Sequence, residues 1–327
     1  MPPPAARSSR PIERGDELEL DIVALGDGPD GVARLDNYVV FVPGTLPGER
    51  VWVRITSATR KFARGEVLEL RTVADDRVPA PCPHFGVCGG CHRQHQYYPA
   101  QLEDKRARLQ RAVNFSLGDA APEVGATIAA SPPLGQRHKV ALHLRNSPDR
   151  SLQACFHKVR SAELVWVHDC PTSDPLAWDL AMRAVELLHE LPHGAWDPDF
   201  APKDLLRSVL VRTTTTGDAH LIFVAREAFI PGLDRLVRPL HDAGATTIGV
   251  NHNHGEFSQL LGPRTTIVSG PARIGEKIGE LTYLLSPDAF FQTSPQAAGH
   301  LVDGVVDWLQ PGREDLVADL YCGSGLL

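Results

Sequence analysis

Three cysteines, Cys82, Cys88 and Cys91, lie within ten residues of one another in the loop PCPHFGVCGGC. Thiols gathered so tightly suggest a metal site more than disulfides in a chain with only six cysteines among 327 residues. Cys170, in the sequence HDCP, is the natural fourth ligand 79 residues beyond Cys91. A proline follows each outer cysteine, and Gly89 and Gly90 separate the inner pair. Glycines let the backbone wrap closely, so that N–H groups can point at sulfur and tune a cluster. These features favour an iron–sulfur cluster of the 4Fe–4S type. Zinc on four thiolates is the alternative, although its usual paired CxxC occurs only once. Unligated buried thiols are the third reading. Cys155 alternates inward on a strand and reads as core.

A second constellation sits near residue 320. The apolar run DLVADLY (315–321) leads into CGSG, which places Asp319, Gly323 and Gly325 at the end of an expected strand. An acid followed by two glycines is what the first loop of a class I S-adenosylmethionine domain needs: close backbone approach to the cofactor and a tight strand-to-helix turn. Upstream, Phe290, Phe291, Gln292, Thr293 and Ser294 sit at another strand-to-helix junction. Gln292 there can hydrogen-bond the amino-acid end of such a cofactor; the alternative is a helix cap preceded by core aromatics.

The elements that must position these residues follow from periodicity. Five short, partly alternating runs over 13–71, at 17–25, 30–36, 37–43, 49–58 and 62–70, are separated by Gly/Pro turns and suggest a small barrel of the OB type. Residues 97–117 read as a helix with Leu102, Leu109 and Val113 on one face. Strands at 138–146 and 151–159, a helix from a Ser173 cap to about Leu191, the hairpin 207–225, a helix at 232–243, and strands at 246–251 and near 264–269 and 280–285 make an α+β region. A helix over 294–309 and the 315–321 strand then open a doubly wound α/β domain.

Charge is local rather than global. The chain carries a net −7, so nucleic-acid binding has to use patches. Residues 50–65 hold Arg50, Arg54, Arg60, Lys61 and Arg64 with no acid, beside Trp52 and Phe62. Residues 136–160 hold Arg137, Lys139, Arg145, Arg150, Lys158 and Arg160 against Asp149 alone. Each is either a solvated surface or a track for phosphates. No apolar run reaches the roughly 18–20 residues of a membrane span, and the N-terminus has no apolar signal region. A cytoplasmic, monomeric protein with no membrane partner is expected, with a disordered tail at 1–12.

Taken together, these residues resemble the uridine-C5 RNA methyltransferase family over residues 13–327. Residues 13–71 are similar to its OB-like, RNA-binding TRAM domain; Cys82, Cys88, Cys91 and Cys170 match its iron–sulfur motif; Phe290, Phe291 and Gln292 match its FFQ signature; 319–325 match its DLYCGxG signature. The resemblance implies a TRAM barrel, a central α+β iron–sulfur domain at 72–285 and the start of a Rossmann-like methyltransferase domain at 286–327. It implies that Gln292 and Tyr321 contact S-adenosylmethionine and that helix 97–117 packs on the catalytic domain. The implied substrate is a structured ribosomal or transfer RNA, gripped by basic residues that include Arg50, Arg54, Arg60, Lys61, Arg64, Arg137 and Lys139. In the family a cysteine thiolate adds at uracil C6 and a base removes the C5 proton. Those two residues fall beyond Leu327, so the chain as given is expected to be inactive; the alternative is a non-catalytic RNA-binding iron–sulfur protein.

Overall fold

In the computed structural model, which describes residues 12–26, 28–254 and 259–327, the alternating sequence ELELDIVAL forms β1 (Glu17–Leu25). Leu20 and Ile22 point into a core while Glu17 and Asp21 face out, the period-two pattern of a half-buried strand. With β2 (Asp30–Leu35), β3 (Tyr38–Pro43), β4 (Arg50–Ala58) and β5 (Phe62–Thr72), it closes a barrel in the order β1-β2-β3-β5-β4. Val40, Val42, Val51, Val53 and Ile55 fill the interior. The expected five-strand barrel is therefore present, with every strand within a residue or two of its expected bounds. The expected tail lies, apart from Ile12, outside the described residues.

The chain divides into two compact units, Met1–Thr127 and Ile128–Leu327. The cysteine-bearing segment and α1 (Tyr98–Leu117) fall in the first, with the barrel. None of the α1 side chains is buried, and Leu109 is exposed, because apolar residues are sparse along it. The extended residues after it run back along its surface: Val124 N–H donates to Gln110 Oε1 at 2.7 Å and Thr127 Oγ1 to the Leu102 carbonyl at 2.8 Å.

The second unit is built on a seven-stranded sheet. Its strands are β6 (Lys139–Asn146), β7 (Leu152–His157), β8 (Leu164–Trp166), β9 (Leu206–Thr213), β10 (Ala219–Ala225), β11 (Thr247–His252) and β12 (Arg264–Ser269), in the order β12-β11-β10-β9-β6-β7-β8. β10 is buried at every residue, as expected of a central strand covered on both faces. Before β9, α2 (Pro175–Leu188) lays Ala177, Ala181, Ala184 and Leu188 against Val140, Leu142, Val209 and Phe223. Its cap is Asp174 rather than Ser173: Pro175 takes the first helical position, and the Asp174 carboxylate accepts from Ala177 N–H at 3.0 Å. The expected 232–243 helix is a 3-10 turn (Leu233–Leu236) running into a short α3 (Val237–Asp242). Beyond the sheet, β13 (Ile274–Ile278) and β14 (Leu281–Leu285) form a hairpin against α4 (Pro295–Leu309).

The strand expected at 315–321 is not formed, and Leu316, Leu320 and Tyr321 are exposed. A strand needs a neighbour to take its N–H and C=O groups, and among the described residues none pairs with this segment.

Glu49, just before β4, fixes the start of the cysteine segment to the barrel. Its side chain is fully buried, and its carboxylate accepts from Leu46 N–H at 2.8 Å and from Arg77 Nη2 at 2.9 Å. Burial alone would raise this carboxyl, but the Arg77 and Leu46 donors hold it below its ordinary 4.5. A carboxyl depressed on folding stabilises the fold above its unfolded value and loses that contribution as pH falls through the folded one. Urea unfolding of Glu49→Gln at neutral pH is expected to show a loss of about 3–5 kcal/mol. Below 4.5 the gap from the parent should narrow. An unchanged gap across that range would show that Glu49 is not ionised in the folded protein.

Candidate functional site

The cysteine loop is shaped by backbone hydrogen bonds. Phe85 N–H donates to the Cys82 carbonyl at 3.1 Å, Cys88 N–H to the His84 carbonyl at 2.9 Å, and Cys82 N–H to Gln94 Oε1 at 3.2 Å. Gly90 N–H points at Cys88 Sγ, 3.4 Å away, and a Cβ on Gly90 would stand 3.5 Å from the same sulfur. Cys82, Cys88 and Cys91 are half-buried and free of disulfides. Beneath the loop, His95 stacks on Phe85 with ring centroids 5.0 Å apart. Burial, with help from Arg77 and Arg93, pushes the His95 imidazole down to about 4, so it is neutral. In the second unit Cys170 is half-buried, its Sγ 3.3 Å from Thr172 Oγ1. Among the described residues no three Cys, His, Asp or Glu side chains converge closely enough to hold a metal ion. Cys155 is fully buried, as expected, and burial raises its thiol to about 11.

Register explains the fate of the first basic patch. The β1 to β4 ladder sets Glu17 opposite Arg54 and Asp21 opposite Arg50. Arg54 Nη2 lies 2.9 Å from Glu17 and Arg50 Nε 2.8 Å from Asp21, while Arg64 Nη1 lies 3.0 Å from Asp30. Three of the five cations are thus matched by carboxylates from elsewhere in the barrel. Arg60 and Lys61, exposed in the β4–β5 turn, have no ion pair among the described residues. In the second patch Arg150 pairs with Asp204 and Lys158 with Glu163. Lys139 stands beside Arg212 on the sheet, where burial and that guanidinium hold its ammonium below its ordinary range; it is not a freely solvated cation. Arg137 is held through its backbone, its N–H donating to Thr172 O and its carbonyl accepting from Asp174 N–H, each at 2.9 Å.

Residues 286–294 are fastened to the sheet at both ends. Arg212 Nη2 donates to the Ala289 carbonyl at 2.5 Å, and His138 N–H to the Thr293 carbonyl at 2.8 Å. Ser294 caps α4, and its Oγ donates to Gln136 Oε1 at 2.9 Å. Between these anchors Phe291 is buried against Ile274, Ile278 and Leu285, Phe290 is exposed, and Gln292 is half-buried. The glycine loop reaches the same place. Gly325 N–H donates to the Cys322 carbonyl at 2.8 Å, Ser324 Oγ donates to the Phe290 carbonyl, and Tyr283 Oη donates to the Leu326 carbonyl at 3.4 Å. Gly323 and Gly325 have φ of +58° and +71°, the left-handed region that favours glycine, and a Cβ on Gly325 would meet nothing within 4 Å. Asp319 and Tyr321 are exposed on the approach to this turn.

Two contributors escape the sequence reading. Ser324 gives no signal, being one serine in a glycine loop. Arg212 does: it is a charge that follows the apolar run Val209, Leu210 and Val211 well inside the strand sequence LRSVLVRTTTT, whose other charge, Arg207, sits at its start. Burial lowers its guanidinium, opposed by Asp288 and Glu276.

A family model for the TRAM domain matches residues 11–68. An uncharacterised RNA methyltransferase of Enterococcus faecalis is 30% identical over 321 residues, covering 97% of this chain and 70% of that protein. Another, from Halalkalibacterium halodurans, is 28% identical over 325 residues, covering 98% and 70%. Among solved structures, the Pyrococcus abyssi tRNA (uracil-54, C5)-methyltransferase in complex with S-adenosyl-L-homocysteine superposes with a TM-score of 0.66 at 24% identity, covering 89% of this chain. This chain spans 65% of the length of that one.

Replacing Arg212 with methionine should keep the sheet's apolar packing but release the Ala289 carbonyl. Amide exchange read by mass spectrometry is expected to quicken over residues 286–294 while β9 and β10 stay protected. Equal protection of 286–294 in parent and variant would show that the guanidinium does not hold this segment.

Proposed function

The chain belongs to the RNA methyltransferase family, and on that premise we propose that it serves methyl transfer from S-adenosylmethionine to C5 of a uridine in structured ribosomal or transfer RNA. The observation that carries this reading is the hydrogen bond from Ser324 Oγ to the Phe290 carbonyl, which sets the glycine turn against the segment bearing Gln292.

The cofactor supplies an electrophilic methyl group on a sulfonium. Gly323 and Gly325 offer it backbone that no side chain screens, with open space over Gly325. Gln292 presents an amide suited to an amino-acid end, Asp319 a carboxylate, and Tyr321 an exposed ring. Arg212 and His138 act on the backbone that carries Gln292 and keep it in one place. The TRAM domain supplies RNA affinity through its unpaired cations, and Arg137 and Lys139 add positive potential beside the 286–294 segment; Arg50, Arg54 and Arg64 contribute less than their number suggests, since each already faces a carboxylate.

On the cysteine motif we propose Cys82, Cys88, Cys91 and Cys170 as ligands of a 4Fe–4S cluster, with zinc as the lesser alternative; no three of them converge among the described residues, so the motif and not the geometry supports this reading. The Gly90 N–H aimed at Cys88 Sγ suits a thiolate-bound cluster. Its role here is structural.

Two measurements test these assignments. Supplied with unmodified ribosomal and transfer RNA, a protein in which this chain is joined to the cysteine and base that the family uses is expected to place label from S-adenosylmethionine in 5-methyluridine; label in another nucleoside would contradict the reading. Protein purified without oxygen should be brown with about four irons per chain, and Cys88→Ser should lower iron content and thermal stability together. Stoichiometric zinc without iron would assign the thiols to the alternative.

A further inference from the structure

The outer face of β2, β3 and β5 carries a feature that the site above does not use. Phe41 and Phe62 meet edge to face, ring centroids 5.7 Å apart and planes at 76°. Both are half-exposed. The Arg64 guanidinium stands over both rings, 5.3 Å from the Phe41 centroid and 5.8 Å from that of Phe62, and Asp30 holds it there. The pairing of β3 with β5 places Val39 beside Phe62, and that of β2 with β3 places Arg34 beside Val39.

The turn that leads into Phe62 is tightly held. Tyr38 Oη donates to the Thr59 carbonyl at 2.7 Å, and Thr59 Oγ1 accepts from Lys61 N–H at 3.2 Å and Phe62 N–H at 3.1 Å. Arg60 and Lys61 are therefore fixed at the rim of the aromatic patch. Arg34, Arg60 and Lys61 are exposed and have no ion pair among the described residues. In a chain of net charge −7, three unmatched cations around two half-exposed rings are a local exception.

We propose that Phe41 and Phe62, braced by Arg64, form a stacking platform for an unpaired RNA base, whose flanking phosphates lie on Arg34, Arg60 and Lys61. This rests on the reading of the first unit as RNA-binding and names the chemistry it takes: single-stranded rather than duplex RNA. Base faces stack on aromatic rings and on guanidinium planes, whereas a paired base hides its faces within the helix. The rim of cations fits the phosphates on either side.

The test uses the full chain and fluorescence anisotropy with two probes of equal length, an oligouridylate and the same ribose-phosphate backbone without bases. Phe41→Leu with Phe62→Leu is expected to weaken oligouridylate binding roughly tenfold and to leave the abasic probe unchanged. Arg34→Gln with Arg60→Gln and Lys61→Gln should weaken both probes and flatten the salt dependence by about 2 log units per decade of salt. Unchanged thermal melting of the variants keeps the comparison interpretable, and Phe62→Trp, which keeps a ring, should retain oligouridylate affinity. Parent-level oligouridylate binding by the double leucine variant would overturn the platform and leave RNA binding standing. A parent chain that binds no RNA would overturn the platform together with the reading it rests on.

Discussion

Everything after β14 depends on how two backbone carbonyls are satisfied. The Ala289 and Thr293 carbonyls have no helix or strand of their own to bond with, and both take donors from the sheet: the Arg212 guanidinium and the His138 N–H. An arginine is buried on β9 for this purpose, at the cost of desolvating a charge next to Lys139 and His220. The consequence shows in the neighbours. Lys139 is held below its ordinary range, and burial with Arg212 pushes the His220 imidazole down to about 4. A row of three basic residues crosses β6, β9 and β10, and at neutral pH its histidine stays uncharged.

From that anchorage the rest follows in sequence. Fixing 289–293 fixes Phe291 in its apolar niche and Gln292 beside it; fixing the Phe290 carbonyl gives Ser324 something to hold; holding Ser324 sets the glycine turn. The link from β9 to the proposed cofactor wall is thus a short chain of hydrogen bonds. The barrel works by another rule. There the cross-strand register decides which cations face carboxylates and which remain for a ligand.

Much of this was legible in the sequence where one local rule governs. The barrel strands could be read because alternation fixes both the period and the buried face, as in β1 and β4. The glycine turn could be read because positive φ excludes most other residues. What stayed hidden needed partners distant in sequence. A run of five cations over 50–65 looks free until β1 is laid beside it. β13 is not among the expected strands; its central Glu276 is buried in the fold and accepts from the N–H groups of Thr215, distant in sequence, and Lys277. The 315–321 run reads as a strand from composition alone, but a strand forms only where a neighbour supplies its ladder. The α2 cap was misplaced by one residue because Ser173 and Asp174 are both good caps, and only Pro175 decides between them.

The central claim is that the 286–294 segment and the glycine turn together make one wall of an S-adenosylmethionine site. Photo-crosslinking of labelled S-adenosylmethionine to the protein, followed by peptide mapping, tests it most directly. The account predicts label on peptides containing Gln292 and on those spanning 319–325, with both signals falling together when Ser324 is replaced by alanine. Label confined to other peptides, or label at 319–325 that is indifferent to Ser324, would contradict it.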